Sequence, residues 1–362
     1  MQKKPTILLI IDNLNKGGAE MLLMGIIKDL QQTFKVVLVT LTQECYFDEI
    51  YFANVHRYCL RVKNKMSYPG AVIRLKKIIN EERPAIVHAH LVYSSIIARL
   101  ACPKNIPLIF SVHNEIGENV FKKSRILFFL EKLSVKSHHT LIAVSNAVLK
   151  DYDAFIPFAG KKYVLENYIG DEFFSGSNNA KIYTQGDNLK VVALGNVKYQ
   201  KNYEYLVRSF IALKDYPVTL HIYGKQDEII YPQLQTFIIE HNLTVEFKGI
   251  GSNIPQLLSA YHLYVMSSLH EGFGIAAVEA MACNLPLLLS DLDVLREITM
   301  NNAIFFDING LEALAGCIIE IIEGKKNLQE LSLKGLAIAK NYSKKQYLQK
   351  LLNIYKQVVP SL

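Results

Sequence analysis

Short runs of β-branched and other apolar residues alternate with helix-patterned stretches along the whole chain, and few architectures accommodate that rhythm. A continuous apolar run of four to eight residues suits a strand buried on both faces, and a helix after it supplies the crossover to a parallel neighbour. In the first half the spacing predicts strands at Thr6–Ile11, Lys35–Leu41, Ala85–His90, Leu108–His113, Thr140–Ser145 and Tyr163–Glu166. Helices are expected between them at Ala19–Gln31, Pro69–Glu82, Tyr93–Ala101, Phe121–Ser137 and Asn146–Asp151. A polar break over 171–189 interrupts the pattern, which then restarts. The second half predicts strands at Lys190–Leu194, Val218–Tyr223, Val245–Lys248, Leu263–Met266, Pro286–Leu289 and Ala303–Phe306. Helices at Tyr203–Leu213, Tyr231–His241 and Ile275–Ala282, with three more inside 310–357, complete it.

The chain has 362 residues, enough for two domains, and half of them are apolar, enough for two cores. That balance excludes a disordered chain, a collagen-like repeat and a disulfide-stapled miniprotein. The expected division is an N-terminal domain over 1–166, a linker over 167–189, a C-terminal domain over 190–342 and a final helical segment over 343–362. Both domains read as doubly wound parallel sheets, whose ligands bind beyond the carboxyl ends of the strands. Five cysteines (Cys45, Cys59, Cys102, Cys283, Cys317) are scattered and never spaced Cys-x-x-Cys, which fits a reducing cytoplasm. The opening run Thr6–Ile11 is too short for a signal-peptide core, and no stretch approaches the ~18 apolar residues of a spanning helix.

Charge is divided unevenly. Residues 1–165 hold 23 Lys/Arg against 13 Asp/Glu, a balance of +10, whereas 166–362 hold 17 against 20. A basic first half implies an anionic partner: a membrane surface, a nucleic acid or a phosphorylated substrate. The segment Phe121–Lys136 interleaves Lys122, Lys123, Arg125, Lys132 and Lys136 with Phe128, Phe129 and Leu130. It reads equally as a core helix with snorkelling lysines and as an interfacial membrane helix.

Several local patterns carry chemistry. Gly17 and Gly18 stand between the first strand and its helix, where backbone can approach an anion, although a tight turn explains the pair as well. They do not form Gly-x-Gly-x-x-Gly, so a dinucleotide fingerprint is absent. The stronger signal is Ser267–Ala282: Glu271 in a loop, Gly272-Phe273-Gly274 opening a helix, and Glu279 inside that apolar helix. Backbone N–H groups there can converge on a phosphate, and a carboxylate at Glu279 requires polar partners such as sugar or ribose hydroxyls. Asp151/Asp153 and Asp291/Asp293 are Asp-x-Asp pairs without surrounding metal-site features, and His88 with His90 has no evident third ligand, so no metal site is expected. The two histidines read as a hydrogen-bonded strand-end pair.

Glu-Gly-Phe-Gly-x-x-x-x-Glu-Ala-Met-Ala resembles the paired-glutamate motif of retaining glycosyltransferases of the GT-B fold, family 4 in particular. The resemblance extends to Gly17-Gly18-Ala19-Glu20, Val87–His90, Ser111–His113, Val144–Asn146, Gly195-Asn196-Val197 with Lys201, Leu220–Gly224 and Phe247–Gly249. It implies two Rossmann-like domains facing a cleft, with the last helix packing back on the first domain. It further implies a nucleotide-sugar donor, UDP- or GDP-linked, and a glycan or lipid-linked acceptor, with neither cofactor nor nucleic acid involved. By the same resemblance Glu271 meets the donor sugar, Glu279 the ribose, and Gly272, Phe273 and Gly274 the diphosphate. Lys201 neutralises the leaving group, Gly18 closes on it and His113 lies near the reacting centre. Asn196 stands where the family usually has Arg, with Lys198 either a substitute cation or a surface residue, and Tyr168 stands where an Asn-Gly turn is common. The implied setting is bacterial surface polysaccharide or glycolipid synthesis, in the cytoplasm or at the inner face of the membrane, with Lys122, Lys123, Arg125, Phe128 and Phe129 touching lipid. A GT-B nucleotide-sugar epimerase and a weakened nucleotide-sugar-binding protein are the alternatives.

Overall fold

The computed structural model describes residues 4–175, 182–310 and 312–360. The chain divides into two compact units, residues 1–167 with 344–362, and residues 168–343.

The first unit is built on β1 (Thr6–Ile11), β2 (Lys35–Thr40), β3 (His56–Cys59), β4 (Ile86–His90), β5 (Leu108–Val112), β6 (Thr140–Ala143) and β7 (Lys161–Val164). All pairings are parallel, in the order β3-β2-β1-β4-β5-β6-β7. Ile7 to Ile11 are wholly buried, as expected of a central strand covered by helices on both faces. The chain winds outward from β1 in one direction and from β4 in the other, so the crevice between the carboxyl ends of β1 and β4 is the topological switch point.

The second unit contains β8 (Leu189–Leu194), β9 (Val218–Tyr223), β10 (Val245–Gly249), β11 (Leu263–Met266), β12 (Leu287–Ser290) and β13 (Ile304–Phe306). Its order is β10-β9-β8-β11-β12-β13, again parallel throughout, with the switch point between β8 and β11. Leu189, Val191, Leu206, Leu220, Leu263 and Leu288 form the centre of its core.

Four details differ from the sequence-based expectation. Strand β3, His-Arg-Tyr-Cys, was not anticipated because it is an edge strand with two exposed residues and no apolar run. The helix expected over Phe121–Ser137 is interrupted: Gly117–Phe121 makes one wide turn, and a regular helix runs only over Arg125–Ser134. Ser124 stops the earlier turn by capping the later helix, its hydroxyl accepting from Leu127 N at 3.4 Å. Asn146–Phe155 is longer than predicted, because Tyr152 near its end is wholly buried. Of the expected linker 167–189, residues 176–181 lie outside the described residues, while Ile169 pairs with Ser343 and belongs to the second unit.

The last helix, Lys344–Val358, is part of the first unit. Tyr355 is buried edge-on against Phe34, 5.9 Å between ring centres, and Lys344 and Lys350 reach Asp29 and Glu166 at 2.6 and 2.9 Å.

Candidate active site

The switch point of the second unit gathers the expected donor-side residues. Beyond β8 the chain turns at Gly195, with φ +145°, and enters the short helical turn Tyr199–Lys201. A Cβ on Gly195 would stand 2.9 Å from Cε of Lys201, so glycine there lets the lysine stem lie against backbone. Lys201 Nζ donates to Glu271 Oε1 at 2.7 Å, and Ser268 Oγ donates to the same oxygen at 2.7 Å. Ser290 Oγ, at the end of β12, in turn holds Ser268 O at 2.8 Å. Glu271 is buried, and Oε2 has no hydrogen-bond partner among the described residues. One oxygen is fixed by the protein and the other is left for a ligand hydroxyl.

The loop after β11 is tied to the Lys201 turn at three points. Leu269 N donates to Gln200 O at 2.8 Å, Gln200 Nε2 to His270 O at 2.8 Å, and Ser267 Oγ to Lys201 O at 2.9 Å. Gly274 caps the helix Ile275–Ala282 at φ +87°, a conformation that disfavours any side chain. Ala277 N and Val278 N donate to Gly274 O at 2.9 and 3.3 Å, which leaves the N–H groups of Ile275 and Ala276 to serve an anion. The Phe273 ring is buried edge-on to Tyr342 at 5.5 Å; it anchors the loop, and only its backbone is available to a ligand.

Glu279 sits in the second turn of that helix, partly buried, and its carboxylate makes no hydrogen bond among the described residues. Burial pushes its carboxyl up to about 7, the charge of Glu172 pushes the same way, and Lys201 draws it back. Lys201 therefore lies within electrostatic reach of both glutamates.

Asn196 and Lys198 both lie between Gly195 and the Tyr199–Lys201 turn. Lys198 is exposed and begins the Tyr199–Lys201 turn. Asn196 Oδ1 instead accepts from the backbone N of Lys225 at 3.0 Å, and Val197 N donates to Lys225 O at 2.9 Å. This brings Lys225, just past β9, to the same edge, and its ammonium forms no ion pair among the described residues. Sequence reasoning passed over Lys225, although a lysine directly after a strand and Gly224 was a legible signal. Ser268 lies inside the Ser267–Ala282 segment but was given no role of its own, and nothing in the local sequence marks Glu172.

In the first unit Gly17 precedes the helix Gly18–Thr33, and the carboxylate of Glu20 folds over it: a Cβ on Gly17 would meet Glu20 Oε2 at 2.3 Å. His113 lies just past β5, with its Nε2 3.2 Å from His90 Nδ1. Adjacent strands β4 and β5 bring His113 beside His88 and His90, a neighbour that the sequence did not reveal. His88 and His90 do not bond each other; their rings lie 4.1 Å apart. His88 is held by Tyr355 OH and Ser111 Oγ, both at 2.7 Å. Burial lowers all three: His88 to about 3, His113 to about 4 and His90 well below its ordinary value, so the cluster is neutral at pH 7. Among the described residues no three His, Cys, Asp or Glu side chains converge as metal ligands. Asp291 is engaged by Arg296 at 2.5 and 2.8 Å, Asp151 accepts from Gly117 N at 2.8 Å, and Asp153 pairs with Lys162 at 2.7 Å. All five cysteines are free.

The helix Arg125–Ser134 presents Ile126 (70% exposed), Phe129 (58%), Leu130 and Leu133 outward, beside Lys122, Lys123, Arg125 and Lys132. Phe128 departs from expectation: it packs against Phe121 at 6.0 Å and is only partly exposed. Glu131 anchors the inner face through a buried ion pair with Arg99 and a 2.7 Å bond from Tyr152 OH. No helix among the described residues is long and apolar enough to cross a membrane.

Comparison with known proteins fits both units. Residues 16–170 match the model described as Glycosyltransferase Family 4, and residues 175–336 match Glycosyl transferases group 1. The chain belongs to the family 4 glycosyltransferases of the GT-B fold. An uncharacterised glycosyltransferase of Methanocaldococcus jannaschii is 24% identical over 290 residues, 78% of each chain. The UDP-Gal:alpha-D-GlcNAc-diphosphoundecaprenol alpha-1,3-galactosyltransferase of Escherichia coli is 22% identical over 311 residues, 76% of this chain and 77% of that one. Among solved structures, Anabaena HepE in complex with UDP superposes with a TM-score of 0.82 at 19% identity, covering 97% of this chain and all of that one. That likeness supports the two-Rossmann-domain fold of this glycosyltransferase.

Proposed function

We propose that this glycosyltransferase moves a sugar from a UDP- or GDP-linked donor, with retention at the anomeric carbon, to a glycan or lipid-linked acceptor of surface polysaccharide or glycolipid synthesis. The observation that carries the reading is the cluster at the β8/β11 switch point: Lys201 bonded to Glu271, with Glu279 within electrostatic reach. As the glycosidic bond breaks, the anomeric carbon becomes oxocarbenium-like and negative charge collects on the departing diphosphate. Lys201 and the N–H groups around Gly272–Gly274 stabilise that charge, Glu271 Oε2 orients the sugar hydroxyls, and Glu279 accepts from the ribose. Because these groups supply the positive potential, turnover needs no divalent metal. HepE binding UDP and the diphosphoundecaprenol acceptor of the Escherichia coli relative support the donor and acceptor classes.

The experiment is a thermal-shift panel of nucleotide sugars followed by turnover with the best donor after EDTA treatment. A donor that raises the melting temperature and is transferred without added metal meets the proposal. Activity that vanishes with EDTA and returns with magnesium or manganese overturns metal independence, and an inverted product overturns retention. We also propose that the Arg125–Ser134 face docks on an anionic membrane, its lysines meeting headgroups and Ile126, Phe129 and Leu133 inserting shallowly.

A further inference from the structure

The switch-point rule applies to the first unit as well as to the second, and the β1/β4 crevice has a lining of its own. Asp12 follows β1, and its Oδ1 accepts from both Ser94 N at 2.8 Å and Ser94 Oγ at 2.5 Å, at the start of the helix after β4. Its Oδ2 has no partner among the described residues. Leu91, between β4 and that helix, is held at φ +71°, a conformation rare for a branched side chain, and the turn it makes delivers Ser94 to Asp12. Tyr93 from the same turn stacks on Tyr68 with ring centres 5.7 Å apart and planes within 5°. Tyr93 is 37% exposed and adjoins Ser94, which bonds Asp12 through both N and Oγ, so the stack and the carboxylate lie on one turn. Glu20 stands near enough to Asp12 that burial and that neighbouring charge both push its carboxyl upward. At the end of β4 the buried Nε2 of His90 has no hydrogen-bond partner among the described residues.

This lining has a definite chemical preference. A flat ring pair offers its face to the C–H surface of a pyranose, and a carboxylate with one open oxygen accepts strongly from hydroxyls. Two carboxylates side by side repel a phosphate. We infer that the β1/β4 crevice is a subsite for a neutral sugar ring, stacked on Tyr93 and hydrogen-bonded to Oδ2 of Asp12. Resting on the glycosyltransferase reading, it makes the receiving end of the acceptor a neutral sugar, with any phosphate of the acceptor bound elsewhere.

The test uses the full chain and ligand-observed NMR with four neutral probes: the methyl pyranosides of glucose, galactose, mannose and N-acetylglucosamine. Glucose 6-phosphate and galactose 6-phosphate serve as anionic counterparts. At least one neutral glycoside should bind at ~10 mM or below, more tightly than either sugar phosphate. Tyr93→Ala and Asp12→Asn should each weaken it about tenfold, while Tyr93→Phe, which keeps the ring, should not. Asn at position 12 retains an oxygen for Ser94, so the local fold survives that change. Absence of binding by all four glycosides, affinity indifferent to both variants, or preference for a sugar phosphate would each overturn the inference. UDP titrations on the same samples report on the second unit separately. Glycoside binding without any nucleotide or nucleotide-sugar binding would sink the transferase reading and leave the subsite standing.

Discussion

Replacing Glu279 with Gln should make the empty protein more stable at alkaline pH and, at the same time, a poorer nucleotide binder. The carboxyl of Glu279 is raised from an ordinary 4.5 to about 7, a difference of roughly 2.5 pH units, and each unit corresponds to about 1.4 kcal/mol. An acid whose folded value is raised keeps its proton in the native state after the unfolded chain has released one. Stability therefore falls as pH rises from about 4.5 to about 7, and above that the charged Glu279 destabilises the fold by about 3 kcal/mol. The Gln amide escapes this penalty but brings its own under-bonded polar atoms, worth about 1 kcal/mol. The net gain is about 2 kcal/mol at pH 8.5 and none at pH 5. For a domain of this size that is a rise in melting temperature of about 4–8 °C. Thermal melts of wild type and Glu279→Gln at the two pH values read the first effect, and calorimetric titration with UDP and GDP reads the second. Parallel pH dependence of the two proteins would refute the electrostatic argument. Unchanged nucleotide affinity in the variant would refute the ribose role.

Gly274→Ala should destabilise the second unit by about 1–3 kcal/mol, because φ is +87° and the added Cβ would stand 2.8 Å from Cδ2 of Leu295; thermal melts check this. Glu131→Ala should cost about 3–5 kcal/mol by leaving Arg99 charged and buried, whereas the pair exchanged together for apolar residues should recover much of it in denaturant titrations. Charge reversal at Lys122, Lys123 and Arg125 should abolish sedimentation with anionic vesicles, each residue having contributed about 1 kcal/mol, and high salt should release the wild type. Indifference of the wild type to such vesicles at low salt would defeat membrane docking.

The apolar rhythm by itself determined the class of fold, since a chain that alternates buried strands with helices has almost no other way to cover its sheets. It located eleven of the strands closely, most of them buried or alternately buried runs; it displaced β7 and lost β3, edge strands that begin with two exposed residues each. The Ser267–Ala282 segment was legible for a different reason: its glycines, its capped helix and an out-of-place carboxylate are local features that carry their meaning wherever the chain is folded. What the sequence could not decide was pairing across distance. Lys201 and Glu271 are seventy residues apart, and only the adjacency of β8 and β11 makes them one ion pair. His90 meets His113 because β4 neighbours β5, and Tyr355 reaches His88 across 267 positions because the last helix returns to the first unit. The inward anchoring of Glu131 by Arg99 likewise turns Ile126 and Phe129 to the surface. Local propensity sets which elements form, whereas the charge state and partners of each polar side chain follow from which strand lies next to which, and that order exists only in the folded chain.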